Sequence, residues 1–221
     1  MRKSTLVVAL AASAALVAGS AGATFATSAA HSNRGGATLH QGTKIAPAKV
    51  GKMHPDVRFK QFNHPVAPYT NRSCDIDLSS ISDGTVLSSV TGCSTTVTLS
   101  SSWGKVSVPN TWATWGSPPD TESATPNALW SSGQTSATVS FGKKVHVGGF
   151  EVEPDNFAVE TIQVDFYRGP NGTGKFVGSI SHDPNGQAGA LLYGAKARHG
   201  FRSAVITDLA GGEFAIAQVR V

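Results

Sequence analysis

Cysteine is nearly absent from this chain, which carries two, Cys74 and Cys93, in 221 residues. Neither lies near the N-terminal apolar segment, which argues against a lipoprotein, and neither sits in a recognisable nucleophile context. Past that segment no second apolar span follows, and the closing FAIAQVRV offers no membrane tail. Also lacking are an HExxH pair for zinc, a GxSxG elbow for a serine nucleophile, and a convincing helix of three turns. These gaps leave no legible reactive centre.

The N-terminus is the plainest signal. Arg2 and Lys3 precede an apolar run from Leu6 to Ala18, and the small residues Ser20, Ala21, Gly22 and Ala23 follow. This is the pattern of a secretory signal peptide, with cleavage expected before Thr24 or, as a second site, near Ala26. A membrane anchor needs roughly 20 apolar residues without Gly and Ser interruptions. The expectation is therefore a signal peptide over 1–23, a flexible basic spacer over 24–72 and a folded domain over 73–221, secreted and without a transmembrane anchor after processing. In an oxidising compartment Cys74 and Cys93 are expected to form a disulfide.

Charge separates spacer from domain. Between Thr24 and Arg72 seven basic residues face Asp56 alone, whereas from Ser73 onward nine basic residues face thirteen acids. With few bulky residues, the basic stretch cannot bury enough apolar surface to offset its ordering entropy. It is either a solvated linker or a tail drawn to anionic envelope polymer; nothing in it calls for nucleic acid. In DVRFKQFNHPVAPY, Val57, Phe59 and Phe62 offer a little apolar surface that could add an edge to the domain.

From residue 74 short runs rich in Val, Ile, Thr and Phe alternate with period two. About ten predicted strands follow, from GTVLSSV, STTVTLS and GKVSVP to RSAVITDLA and EFAIAQVRV. Asn-Gly pairs in GPNGTG and DPNGQAG read as hairpin connections. Ile162, Val164 and Phe166 form one apolar face and Phe214 and Ile216 another. In KVHVGGFEVEP the two glycines break the register, as a bulge does. Strands at this spacing predict an all-β fold, an antiparallel β-sandwich or jelly roll.

The passages VGGFEVEPDNFAVETIQVDFY, KFVGSISHD, FRSAVIT and GEFAIAQVRV resemble the jelly-roll, galactose-binding-like domains of secreted bacterial proteins, over about residues 84–221. That resemblance implies a β-sandwich with a binding or structural role. The sorting tail that often follows such modules is missing here.

Several patterns look like sites. Gly169 to Lys175 has the spacing of a phosphate-binding loop, but Phe176 stands where Ser or Thr would bind magnesium and a strand follows where a helix should open. Asp75-Ile-Asp77 opens like a calcium loop and then fails at Ser80 and Val86. Glu151, Glu153 and Asp155, beside Asn156, are a better oxygen-rich set, and they are the candidates for a structural calcium; otherwise they are exposed acids flanking a turn, and no other cofactor is expected. In the domain, His146, His182 and His199 lie in unrelated contexts. An enzyme is therefore less expected than a binding module, the alternative being a secreted hydrolase of polysaccharide or ester.

Residues 110–130, NTWATWGSPPDTESATPNALW, hold three of the four tryptophans among three prolines. Trp103 and Trp130 are expected to be buried. Trp112 and Trp115 either anchor a long loop onto the core or stack on a ligand. Indoles stack on the apolar C–H faces of sugars, with Asn110, Asp120 and Glu122 at hand to bind hydroxyls. Glycan or cell-envelope polymer is therefore the expected partner class.

Overall fold

The computed structural model describes residues 58–221, so the signal-peptide expectation and most of the spacer lie outside the described residues. In chain order the elements are β1 (Phe59–Phe62), α1 (Ala67–Thr70), β2 (Val86–Gly92), β3 (Thr95–Ser107), β4 (Asn127–Trp130), β5 (Ser136–Pro154), β6 (Ile162–Tyr167), β7 (Phe176–His182), β8 (Leu191–Asp208) and β9 (Phe214–Arg220). The fold is all-β, and every pairing between strands is antiparallel.

The strand order is β2-β3-β4-β9-β5-β8-β6-β7, with β1 added to β8 and a further pairing of β3 with β5. That extra pairing closes the sheet on itself as a small barrel, because β3, β4, β9 and β5 complete a ring. Long, bent strands make the closure feasible. The 19-residue β5 pairs with β3 through Val139 to Phe141 and with β9 through Gly149 to Pro154. Three pairs of predicted strands thereby merge: STTVTLS with GKVSVP, QTSATVSFG with the KKVHV run, and GALLYGAKA with RSAVITDLA.

The predicted bulge in β5 is present. The ladder to β9 shifts register between Gly149 and Glu151, and Gly149 takes φ +147°, where a Cβ would stand 2.2 Å from the Tyr193 carbonyl oxygen. Only glycine fits.

Alternation places the core as expected. Ile162, Val164, Phe166, Phe214 and Ile216 are fully buried. Phe201 packs edge-on against Phe141 and Phe166, with centroids 5.5 and 4.9 Å away, and Trp103 meets Phe214 at 5.9 Å. The spacer boundary needs correction, because residues 58–72 belong to the fold. β1 pairs with β8 from Phe59 to Phe62, and Phe62, Tyr69, Val147 and Leu192 make a small cluster of their own.

One of the two Asn-Gly turns is a hairpin. Asn171 and Gly172 both have positive φ and connect β6 to β7, which pair directly. The other, around Asn185 and Gly186, leads from β7 to β8, and β8 pairs with β6 instead. Its glycine serves close approach: a Cβ on Gly186 would lie 1.6 Å from the Asn156 carbonyl oxygen.

Cys74 and Cys93 are joined, with Cα atoms 5.9 Å apart. Cys93 and Ser94 form the two-residue turn between β2 and β3, and both take positive φ, a conformation that costs energy outside glycine. The bond fixes that turn to the segment entering the barrel. Cys93→Ser, or reduction, is expected to remove about 3 kcal/mol by freeing a closed loop in the unfolded chain. Thermal melting with and without reductant should show Tm lower by about 6–12 °C.

Candidate functional site

The stretch from Asn110 to Pro126 crosses the outer face of β4, β9 and β5. Alternation explains why indoles fit there. Phe214 and Ile216 point into the barrel, so Ala215 and Ala217 face outward, where Ala128 and Ala190 join them. These small side chains form a shallow seat. Trp112, 9% exposed, and Trp115, 3% exposed, fill it against Val106 and Val108. Burying one indole removes about 150–250 Å² from water, a gross gain of about 4–6 kcal/mol.

The polar edges of both rings are also satisfied. Glu151 and Glu153 are two residues apart on β5, so they share its outward face, beneath the loop. Trp115 Nε1 donates to Glu151 Oε2 at 2.9 Å, and Trp112 Nε1 donates to Glu153 Oε2 at 2.6 Å. Glu151 Oε1 accepts the Glu122 backbone N–H at 2.6 Å. The amides of Gly189 and Ala188 face the Glu153 carboxylate, yet Oε1 has no hydrogen bond of its own. Both glutamates are completely buried.

Burial is the main reason that both carboxyl groups are raised to about 7. For Glu151 the Trp115 and Glu122 N–H groups oppose it, and for Glu153 chiefly the Trp112 N–H does. Reading these residues as exposed acids beside a turn is therefore incorrect. Their oxygens hold the tryptophan loop. Asp155, the third calcium candidate, is exposed, just past the end of β5. Among the described residues no group of three or more His, Cys, Asp or Glu is placed to hold a metal ion.

The other candidates are spread around the loop. Glu122 makes a two-armed ion pair with Arg220, at 2.5 Å from both Nε and Nη2, and Arg220 also donates to the Ser73 carbonyl oxygen at 3.2 Å. Asp120 faces His64 Nδ1 at 3.0 Å on the exposed side of that region. Asn110 is exposed at the β3 end of the loop and donates to Ser107 Oγ at 3.2 Å. Of the five, Trp112 alone lines the groove beside β3 and β4.

That groove, about 680 Å³, runs between the start of β2, β3, the end of β4 and the loop. Trp130 and Trp112 form its aromatic walls, Val86, 69% exposed, is on the rim, and Gly104 and Val106 lie between. Ser102, Thr111, Ser132 and Asp155 supply polar groups. Lys105 also lines it, although its Nζ is engaged by Asp83 Oδ1 at 2.6 Å. A smaller cleft of about 100 Å³ shares Thr111, Trp112 and Asp155 with the groove and contains Phe157, 63% exposed.

Trp130 was expected to be buried but is half-buried, while Trp103 is completely buried, as expected. The sequence did carry a sign of the difference. Gly104 pairs with Trp130 across β3 and β4, and a Cβ on Gly104 would come 3.5 Å from the Trp130 ring. The lack of a side chain there leaves the ring a free flank. The three histidines do not converge with any of this: His146 and His199 are exposed, and His182 packs on Tyr193 at 5.1 Å.

No family model matches the chain, and no curated protein matches it. Among solved structures, the enzymatically active domain of tailspike protein 4 from bacteriophage CBA120 is similar at 15% identity and a TM-score of 0.28, over 71% of this chain. The chain spans 21% of that structure's length.

Proposed function

We propose that the protein is a secreted, non-catalytic binding module whose groove beside Trp112 and Trp130 takes carbohydrate. The observation that carries this reading is a groove of about 680 Å³ with two indoles, two glycines and two valines for its apolar surface and serine, threonine and aspartate for its polar groups. Sugar rings present apolar C–H faces and a rim of hydroxyls, and that mixture of surfaces suits them. Export is part of the proposal, supported by the signal-peptide pattern of residues 1–23 and by a disulfide compatible with an oxidising compartment. Among the described residues no helix is long and apolar enough to cross a membrane. Kinship with galactose-binding-like jelly rolls and their β-sandwich belongs to the same proposal, supported by the wholly antiparallel strand pairing.

Hydrolysis has less support. A glycosidase needs two carboxyl groups flanking the bond, about 5–10 Å apart. Asp155 is the one carboxylate among the residues lining the groove, and the raised pair Glu151 and Glu153 is sealed beneath the loop.

A glycan array probed with the purified domain tests the reading. Trp130→Ala is expected to weaken retention about 30-fold, the loss typical of an aromatic anchor at a binding hot spot. Its Tm should fall far less than that of a variant at Trp115, which does not line the groove. Equal retention by Trp130→Ala and the parent would dismiss the groove as the site.

A further inference from the structure

The groove beside Trp112 and Trp130 carries an uncompensated negative charge. Lys105 and Asp155 are the two charged side chains among the residues that line it. Lys105 is already paired. Its Nζ donates to Asp83 Oδ1 at 2.6 Å, and the same carboxylate accepts from Ser107 Oγ and, at 3.0 Å, from Thr111 Oγ1. Asp155 has no such partner. Burial and then Glu213 raise its carboxyl group above the ordinary value, and among the described residues neither a cation nor an N–H opposes them. One paired lysine and one unpaired aspartate leave the groove net negative.

Asp155 is also where two cavities meet. The cleft of about 100 Å³ shares Thr111, Trp112 and Asp155 with the groove, and Phe157, 63% exposed, stands in it. The backbone fixes this point. Pro154 pairs with Phe214, and the next N–H, that of Asp155, donates to the Glu213 carbonyl oxygen at 2.9 Å. A positioned carboxylate with Trp112 and Phe157 lining the same cleft suits an ammonium group, through a charge-assisted hydrogen bond and the attraction of a cation to aromatic rings. An anion there would face Asp155 and Glu213 and meet no unpaired cation.

We propose that the groove takes a cationic sugar, an oligosaccharide of amino sugars whose protonated amine sits at Asp155, where the groove opens into the Phe157 cleft. The inference rests on the reading of the groove as a carbohydrate site, and adds to it the charge of the ligand and the residue that selects it. Trp130 and the valines carry the apolar faces of the rings; Asp155 discriminates. A neutral sugar forgoes the ion pair, and uronic acid or phosphate-bearing polymers are repelled. The groove's volume of about 680 Å³ lies in the range that encloses drug-sized ligands, larger than a single sugar ring, so a chain of units suits it.

The test is calorimetric titration of the purified protein with a glucosamine hexamer, an N-acetylglucosamine hexamer and a galacturonate oligomer, at low ionic strength and about pH 6, where a primary amine keeps its proton. The glucosamine hexamer is expected to bind about tenfold more tightly than its N-acetylated counterpart, the worth of one charge-assisted hydrogen bond, and the galacturonate not at all. Asp155→Asn, at an exposed position and nearly unchanged in shape, should bring the two hexamers level by weakening the glucosamine hexamer alone. Sodium chloride at about 0.5 M should shrink the parent's preference. Trp130→Ala should weaken both hexamers. Glucosamine binding left intact by Trp130→Ala would be unspecific charge attraction and overturns the proposal, as does a preference undiminished in Asp155→Asn. If a neutral or acidic glycan binds best and is lost in Trp130→Ala, the groove stands as a carbohydrate site and its selection of cationic sugars falls. If no glycan binds, both fall.

Discussion

Trp115→Ala should lower Tm by about 10–15 °C without touching the groove. Two losses combine. The ring is 3% exposed in a seat made largely of alanines, and truncation of a buried Trp costs about 3–5 kcal/mol because such a seat cannot collapse to fill the void. Removing the indole also strips Glu151 Oε2 of its donor, 2.9 Å away, and leaves a fully buried carboxylate holding one N–H instead of two. Trp115→Phe separates the two losses. It retains most of the apolar volume and deletes the N–H, so it should cost about 1–3 kcal/mol, the penalty for an unsatisfied buried group. A Trp115→Phe protein that melts with the parent would mean that the Glu151 bond contributes nothing net.

The contrast between Trp115 and Trp130 follows from which side of each strand is covered. From the sequence, alternation in FAIAQVRV identified Phe214 and Ile216 as core, and both are completely buried. Ala215 and Ala217 are completely buried too. Alanine in alternate positions on a strand is the mark of a face covered at close range, since a larger side chain would push the covering segment away. Glu151 and Glu153 occupy the same outward face of β5, and alternation alone cannot distinguish an acid facing water from one facing two indoles. The tryptophans sit 36 and 41 residues earlier in the chain than their carboxylate partners. Only the closed sheet brings them together.

Similar reasoning accounts for the strands. Type and approximate position were legible because period two persists through each run, and the bulge at Gly148 and Gly149 was visible as a break in that period. Closure was not legible. It depends on β3 and β5 continuing through bends that read as separate strands, and on β8 passing beside β6 although β7 precedes it in sequence. β4 was hidden for another reason: NALW has four residues beside a proline-rich loop, too short to establish any period. The groove depends on both points, because Trp130 belongs to β4 and Gly104 to the continued half of β3.

Stability is expected to fall as pH rises from about 5 to about 8, the reverse of the behaviour of a protein held by surface ion pairs. Glu151 and Glu153 are each raised from 4.5 to about 7 in the fold. Between those values the unfolded chain has released the protons that the folded chain still keeps, so the folded state binds more protons and loses stability with increasing pH. A shift of this size on a fully buried group amounts to about 3 kcal/mol at most per carboxyl. The same direction holds for Glu160, raised to about 7 by burial and its hydrogen bond with Asp208, for Asp75, raised to about 6 chiefly by burial, and for Asp155, raised by burial and Glu213. His182, lowered by burial, acts in the opposite one, since its unfolded form takes up a proton as pH falls through the ordinary histidine range. Asp77 and Asp83, which are lowered by hydrogen bonds, lose their contribution only in more acidic solution, outside this window. The carboxyl groups outweigh the single histidine, and Tm should be about 10 °C higher near pH 5 than near pH 8. Glu153→Gln identifies the source. Its amide oxygen can still accept from Trp112 Nε1, so the protein should fold, and the slope of Tm against pH should drop by roughly a quarter to a third. Glu151→Gln is a harsher change, because both Glu151 oxygens accept N–H donors and an amide NH₂ would face one of them. A Tm that rises steadily from pH 5 to pH 8, or a slope unchanged by Glu153→Gln, would show that the carboxylates beneath the tryptophan loop are ionised at no net cost.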